Sequence, residues 1–308
     1  MRPLIVVGSA NQDIVAHVSR IPGPGETLLG TSVSYLPGGK GLNQACAAGA
    51  VFPNVRFVGG VGADDAGARL IARLHEYGVD TAGLIEAQGV PTGTAHISVE
   101  DSGMNSIIVI QGANACVTPD YVDEAFEAFG GLVSEPVTVL QGEIPLESSL
   151  QAAKLTRALG GQVVLNLAPV AVDVPKLLEY ADPLVVNEYE AGLLSGEEAP
   201  ETWESAEATA VKLLNLSRSV IVTLGAMGSV VAVSKGGGAV ELERIAATPM
   251  DTVDSTGAGD AFVGVLAGAL CAGRGLLEAA KTASHAASLT VTKVGASESY
   301  VALRDVSL

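Results

Sequence analysis

Near the carboxyl end of the chain, Asp254-Ser255-Thr256-Gly257-Ala258-Gly259-Asp260 runs from a polar stretch into the apolar, alanine-rich segment Ala261 to Cys271. Gly257 and Gly259 let the backbone turn tightly and aim several N–H groups outward at the start of a helix, where an anion is favoured. A carboxylate at Asp260, in the first turn of that helix, would sit beside the anion and could take a proton from an attacking hydroxyl. Gly257, Ala258, Gly259 and Asp260 are therefore the candidate catalytic group; a capped helix start without chemistry accounts for the same residues. The segment is not a Walker phosphate loop, which needs GxxxxGK[ST], and Gly8-Ser9-Ala10-Asn11 is not a GxGxxG dinucleotide fingerprint. A nicotinamide oxidoreductase is disfavoured accordingly.

A second glycine turn, Pro37-Gly38-Gly39-Lys40-Gly41-Leu42-Asn43-Gln44-Ala45, also leads into a helical stretch. Close backbone approach at Gly38, Gly39 and Gly41, with an amide at Asn43, suits a polyhydroxylated ligand whose hydroxyls need fixed donors and acceptors. Asn11 and Asp13, just past the first apolar run, would project into the same crevice. A polar turn with local side-chain to backbone bonds is the competing reading.

Short apolar runs that alternate with helical segments would position these residues. Strands are expected at Leu4 to Val7, Val55 to Val58, Val137 to Leu140, Val163 to Leu165, Leu184 to Val186 and Val220 to Thr223. Helices are expected at Leu42 to Ala50, Ala66 to Tyr77, Leu146 to Leu159, Glu188 to Leu194 and Ala206 to Leu214. Such alternation predicts an α/β fold, with a doubly wound, mainly parallel central sheet flanked by helices and a ligand crevice at the carboxyl ends of the strands. Period-two patterning across about 13–35 and 92–110 marks strands that do not fit the parallel core, and these are assigned to a small antiparallel β lid. A lid would keep water from the reaction. Residues 1–308 are read as a single domain.

The 308 residues carry 17 Lys and Arg against 34 Asp and Glu, a formal charge of -17, which argues against nucleic acid as a partner. Three widely spaced cysteines without a CxxC pair suit a reducing compartment. No apolar run is long enough to span a bilayer, and the run Met1 to Gly8 lacks the pattern of a signal peptide, so the expected location is cytoplasmic. The four histidines are scattered, without metal-ligand spacing.

Taken together, these motifs resemble the ribokinase-like sugar kinases of the phosphofructokinase-B type, over essentially the whole chain. The resemblance rests on Gly39-Lys40-Gly41 with Asn43, on Asp254 to Asp260, and on the intervening Asn11-Gln12-Asp13, Gly112-Ala113-Asn114-Ala115, Gln141 with Glu143, Asn166 with Pro169, and Asn187-Glu188 with Glu190. It implies ATP-dependent phosphorylation of a sugar's primary hydroxyl, with D-ribose to D-ribose 5-phosphate foremost. Another sugar, deoxyribose, a keto-deoxy acid or a nucleoside is an alternative substrate for the same fold, and a non-catalytic sugar sensor is an alternative class. Asp260 then corresponds to the base and Gly257, Ala258 and Gly259 to the anion hole. Asn11, Gln12, Asp13, Gly39, Lys40, Gly41, Leu42, Asn43 and Glu143 fall at sugar-binding positions. Asn187, Glu190, Thr223, Leu224, Gly225, Ala226, Met227, Gly228, Gly259 and Ser284 fall on the ATP side, with Glu190 organising Mg²⁺ through water and Ser284 where Asn is frequent. The family's monovalent cation, usually K⁺, maps to Asp254, Thr256, Thr290, Lys293, Gly295 and Ser299. A homodimer joined through the lid is also implied.

Overall fold

The computed structural model describes residues 2–100, 102–129, 134–170 and 175–308. Its amino-terminal half contains β1 (Leu4–Val7), β2 (Asn11–Val18), β3 (Ser32–Gly38), α1 (Lys40–Val51), β4 (Val55–Gly62), α2 (Asp65–Glu76), β5 (Asp80–Ala87), β6 (Gly93–Glu100), β7 (Asn105–Ile110) and α3 (Pro119–Ala128). The rest comprises β8 (Val137–Leu140), α4 (Leu146–Ala158), β9 (Gln162–Asn166), α5 (Pro175–Leu178), β10 (Ala181–Asn187), α6 (Glu188–Ser195), α7 (Trp203–Leu213), β11 (Ser219–Thr223), β12 (Gly228–Gly236), β13 (Ala239–Ala246), α8 (Ala258–Cys271) and α9 (Leu276–Thr290).

Nine strands form the main sheet in the order β13-β12-β11-β10-β9-β8-β1-β4-β5. The seven from β11 to β5 are parallel, and the hairpin β12–β13 closes one edge antiparallel. Strand β1 is apolar at all four positions because helices cover both faces: Leu4 and Val6 enter one core cluster, Ile5 and Val7 the other. Helix α8 packs between α1, α9 and the sheet, and every residue from Asp260 to Cys271 is buried. A helix enclosed on all sides needs no polar face, which explains the alanine-rich composition of that segment.

A separate four-stranded sheet has the order β3-β2-β6-β7. Its outer pairs, β2 with β3 and β6 with β7, are antiparallel, while the two central strands, β2 and β6, run parallel. The first lid strand begins at Asn11 and ends at Val18, and β3 starts only at Ser32, so the expected strand segment 13–35 is interrupted. Pro22, Gly23, Pro24 and Gly25 lie in the gap, and prolines lack the N–H that a ladder requires. Residue 101, within the expected segment 92–110, lies outside the described residues, as does Met1. Only Gly8, Ser9 and Ala10 separate β1 from β2, so the lid is rooted at the carboxyl end of a central core strand. Among the described residues, no helix is long and apolar enough to cross a membrane.

Candidate active site

Helix α8 starts at the carboxyl edge of the main sheet, and its N-cap, Gly257, has φ 78°, in the left-handed region that favours glycine. A Cβ at Gly257 would also fall 2.6 Å from Ala296 Cβ and 2.8 Å from the Tyr300 hydroxyl, so both conformation and space demand glycine. The Ala258 amide, expected from the sequence to face an anion with Gly257 and Gly259, donates to Ser255 O at 3.2 Å. The amides of Gly259 and Asp260, in the first turn of α8, have no preceding helical carbonyl to meet and are the donors left for an anion.

Asp260 itself is 9% exposed and is held on both oxygens. Asn43 Nδ2 donates to Oδ2 at 3.1 Å and Gln44 Nε2 to Oδ1 at 2.9 Å. Gln44 also donates to Asn166 Oδ1 at 2.9 Å, and its own carbonyl oxygen accepts from Gln141 Nε2 at 2.8 Å. Asn166 in turn donates to Val185 O at 3.1 Å. The amide orientations are thereby fixed: with its nitrogen on Asp260, Asn43 keeps Oδ1 as a buried acceptor without a partner among the described residues. Such an orphan acceptor is costly unless a ligand hydroxyl satisfies it. The residues named from sequence did not include Gln44 as a contact of the base; its signal is a second amide, next to Asn43, on the buried, alanine-rich side of α1.

The cleft beside Asp260 is lined by Lys40, Asn187, Glu190, Thr223, Gly257 and Gly259, among others. At the lid end, Glu143 accepts from the Lys40 amide at 3.0 Å and from the Ser9 hydroxyl. Asn114 Nδ2 donates to Asn11 Oδ1 at 2.8 Å, while its Oδ1 accepts from the Ala10 amide at 2.9 Å. Asn11 Oδ1 is thereby the accepting end of its amide, and among the described residues its NH₂ group has no side-chain partner and can donate. Burial, then the neighbouring Glu143, Asp260 and Glu298, push the Asp13 carboxyl up to about 7. Burial works against the charge of Lys40, but Asp260, Glu143 and Glu190 outweigh it and hold this ammonium above the usual lysine range. Gln12 turns away from the cleft, accepting from Arg69 at 2.7 Å and donating to Leu36 O at 3.1 Å. Leu42 is fully buried in the core, so its side chain packs α1, and its backbone is what it could offer at the sugar side.

At the other end, Asn187 and Glu190 form a reciprocal capping box on α6, with bonds of 2.8 and 2.9 Å. Burial raises the Glu190 carboxyl above its ordinary value. Leu224 is buried below a short 3₁₀ turn, Gly225–Met227, in which Gly225 and Ala226 are exposed; Gly228 begins β12. Ser284 is 6% exposed on α9. Of the residues mapped to a cation, Asp254 joins two loops: Thr256 donates to Oδ1 through N and Oγ1 at 2.9 and 2.6 Å, and Gly295 N to Oδ2 at 2.9 Å. Burial opposes ionisation of Asp254, but these bonds prevail and hold it below its ordinary value. The Ser299 hydroxyl donates to Ala296 O at 2.7 Å, and Thr290 O accepts from Lys293 N at 3.2 Å.

Comparison with known proteins places this geometry in context. Residues 1–302 match the pfkB family of carbohydrate kinases. The chain is 36% identical over 296 residues to a ribokinase of Bacillus subtilis, covering 96% of this chain and 95% of the relative. Among solved structures, a ribokinase of Thermotoga maritima superposes with a TM-score of 0.84 at 34% identity, covering 97% of this chain and 96% of the other. Arabidopsis thaliana ribokinase complexed with ribose and ATP gives 0.83 at 32% identity, over 99% and 98% of the two chains.

Proposed function

The chain belongs to the pfkB family of carbohydrate kinases, and from that premise we propose that it transfers the γ-phosphoryl group of ATP to the primary hydroxyl of D-ribose, giving D-ribose 5-phosphate. The observation that carries this reading is Asp260, a buried carboxylate held by two amides in the first turn of a helix whose free N–H groups open on the same cleft. Relatives with this sequence over nearly their whole length are ribokinases, and one of them is known in complex with ribose and ATP.

In the proposed reaction the sugar lies under the lid, with the Asp13 and Glu143 carboxylates accepting from its hydroxyls and Asn11 donating. Asp260 accepts the proton of the attacking hydroxyl, and the amides of Gly259 and Asp260 meet the charge developing on the transferred phosphoryl group. Asp260, Glu143 and Glu190 surround the ammonium of Lys40, and the Asp13 carboxyl lies near Glu143 and Asp260. That excess of negative charge favours a neutral sugar over a keto-deoxy acid, and it helps expel a phosphorylated product. Mg²⁺ would neutralise the phosphates; among the described residues no group of three or more acidic, His or Cys side chains is placed to hold a metal ion, so the fit is to a phosphate-bound ion met by the buried carboxylate of Glu190 through water. The loops joined by Asp254 offer carboxylate and carbonyl oxygens, a donor set suited to K⁺.

The whole chain is proposed to act as one kinase domain, soluble in the cytoplasm, and as a homodimer through the lid. Support for the dimer is the apolar lid surface: Leu29, Val33, Tyr35 and the run Ile107 to Ile110 on the edge strand β7 are exposed. Ile108→Asp is expected to shift a dimer to monomer in analytical ultracentrifugation. The central test is ADP release in a coupled assay against ribose, deoxyribose, fructose, a keto-deoxy acid and a nucleoside, with and without K⁺. Turnover restricted to ribose supports the reading; ribose-independent ADP release, or preference for an acid, overturns it.

A further inference from the structure

Tyr300 is fully buried, and its hydroxyl donates to the carbonyl oxygen of Gly257 at 2.8 Å. That oxygen also accepts the Ala261 amide at 2.8 Å, the first i to i+4 bond at the start of α8. Gly257 sits between the turn at Asp254–Thr256 and the first turn of α8, in a left-handed conformation with no side-chain cap. Apart from the helix itself, the Tyr300 hydroxyl is the group that holds the Gly257 carbonyl, and a peptide plane that holds its carbonyl also fixes the direction of the chain that follows it. The next amides in that chain are those of Ala258, Gly259 and Asp260.

We propose that Tyr300 is a positioning residue for phosphoryl transfer: its hydroxyl clamps the Gly257 carbonyl so that the Gly259 and Asp260 amides stay aimed at the transferred phosphate. The inference rests on the kinase reading above. The ring has its own anchorage. Its backbone N donates to Ser297 O at 3.4 Å, and the same Ser297 carbonyl accepts from the Tyr77 hydroxyl at 2.6 Å. The clamp is thus fastened to α2's end and the carboxyl-terminal 3₁₀ turn Ser299–Leu303, not to the loop it holds. Burial and the nearby Asp260 carboxylate push this phenol well above its usual range, so it stays a neutral donor at every working pH. Tyr300 does not reach the cleft, and its effect passes entirely through Gly257.

Tyr300→Phe removes one oxygen and keeps the ring, so the fold is retained. One neutral hydrogen bond in a preorganised site is worth a loss of about five- to tenfold in kcat, with KM for ribose within about twofold of the parent. Binding of ATP, which carries the γ-phosphate, is expected to weaken about threefold or more in calorimetry, while ADP binding stays unchanged, because the clamped amides face the γ position. A purely structural role would lower the melting temperature and scale all three affinities alike. Hydrogen exchange gives a readout independent of activity: amides 257–261 are expected to exchange faster in Tyr300→Phe, with the rest of α8 unaltered. An unchanged kcat, equal weakening of ATP and ADP, or unchanged exchange at 257–261 overturns the clamp. Absence of ribose kinase activity in the parent chain would instead overturn the proposed function, and the exchange result would still decide the clamp.

Discussion

At the lid end of the cleft, the groups that would meet a sugar are side chains held by other side chains, whereas at the far end the groups that would meet a nucleotide are mostly backbone. Asn11 is oriented by Asn114, Glu143 by Ser9 and the Lys40 amide, and Asp260 by Asn43 and Gln44. By contrast, the exposed 3₁₀ turn at Gly225–Met227 offers peptide groups and few polar side chains. A sugar is a rigid set of hydroxyls, recognised by donors and acceptors fixed in advance; a nucleotide's phosphates are satisfied by helix starts and turns of many sequences. Single side-chain changes are therefore expected to be severe at the first end and mild at the second.

The largest effect belongs to the junction of the two. Asp260→Ala removes the proton acceptor and should lower kcat on the order of 10²-fold or more, with sugar affinity within a few fold. Near-normal turnover, measured by ADP release, would take Asp260 out of the reaction and dissolve the distinction between the ends.

Asp13 follows. Asp13→Asn removes the charged acceptor proposed for the sugar hydroxyls, and KM for ribose is expected to rise about 10- to 100-fold. The same change should stabilise the apo protein. Burial and neighbouring carboxylates raise the folded-state value from 3.8 to about 7, so the folded chain binds the proton more tightly than the unfolded one. The stability contributed by the protonated form is complete below 3.8 and is lost as pH rises through 7. The melting temperature of Asp13→Asn minus that of the parent is thus expected to grow between about pH 4 and 7 and level off above it. A difference that shrinks with rising pH contradicts this account. A Cβ at Gly38 would fall 2.2 Å from the Asp13 carboxyl, so backbone approach leaves the acid little room to escape its burial.

Gln44 tests whether the supporting amides matter as much as the groups they hold. Gln44→Met keeps the length and loses the donor to Asp260, leaving Gln141 and Asn166 without their partner as well. An unmade bond to a carboxylate corresponds to about a 10-fold fall in kcat, with KM for ATP unchanged. A change confined to stability, with kcat intact in the folded fraction, would make the network a packing device only.

The same contrast decides what was legible in the sequence. Strands such as Leu4–Val7 and Val137–Leu140 were readable to the residue because parallel strands buried on both faces are continuous apolar runs. β5, with Asp80, Thr81 and Gly83, lies at the sheet edge and carries no such run, so it left no mark. In the site, Asp260 and Asn43 stand out through glycine turns into helices and Lys40 through the family resemblance, but Gln44 and Tyr300 sit inside ordinary helical or polar surroundings. Their importance arises from contacts spanning 216 and 43 positions of chain, which no local pattern encodes. The cation and adenine positions were named through family resemblance alone, since a backbone carbonyl contributes the same oxygen whatever residue bears it.

The mildest prediction concerns Met227, partly buried at the end of the 3₁₀ turn and packed against the core below α7. Met227→Ala removes part of an apolar surface on the nucleotide side, worth roughly 1 kcal/mol when half covered. KM for ATP is expected to rise by less than about fivefold, with kcat and KM for ribose unchanged. The turn itself should persist, because its geometry is set by the backbone bonds of Leu224 with Gly228 and Met227 rather than by the thioether. A loss as large as that of Asp13→Asn would mean that the nucleotide end, too, depends on individual side chains, and the division between the two halves of the cleft would not hold.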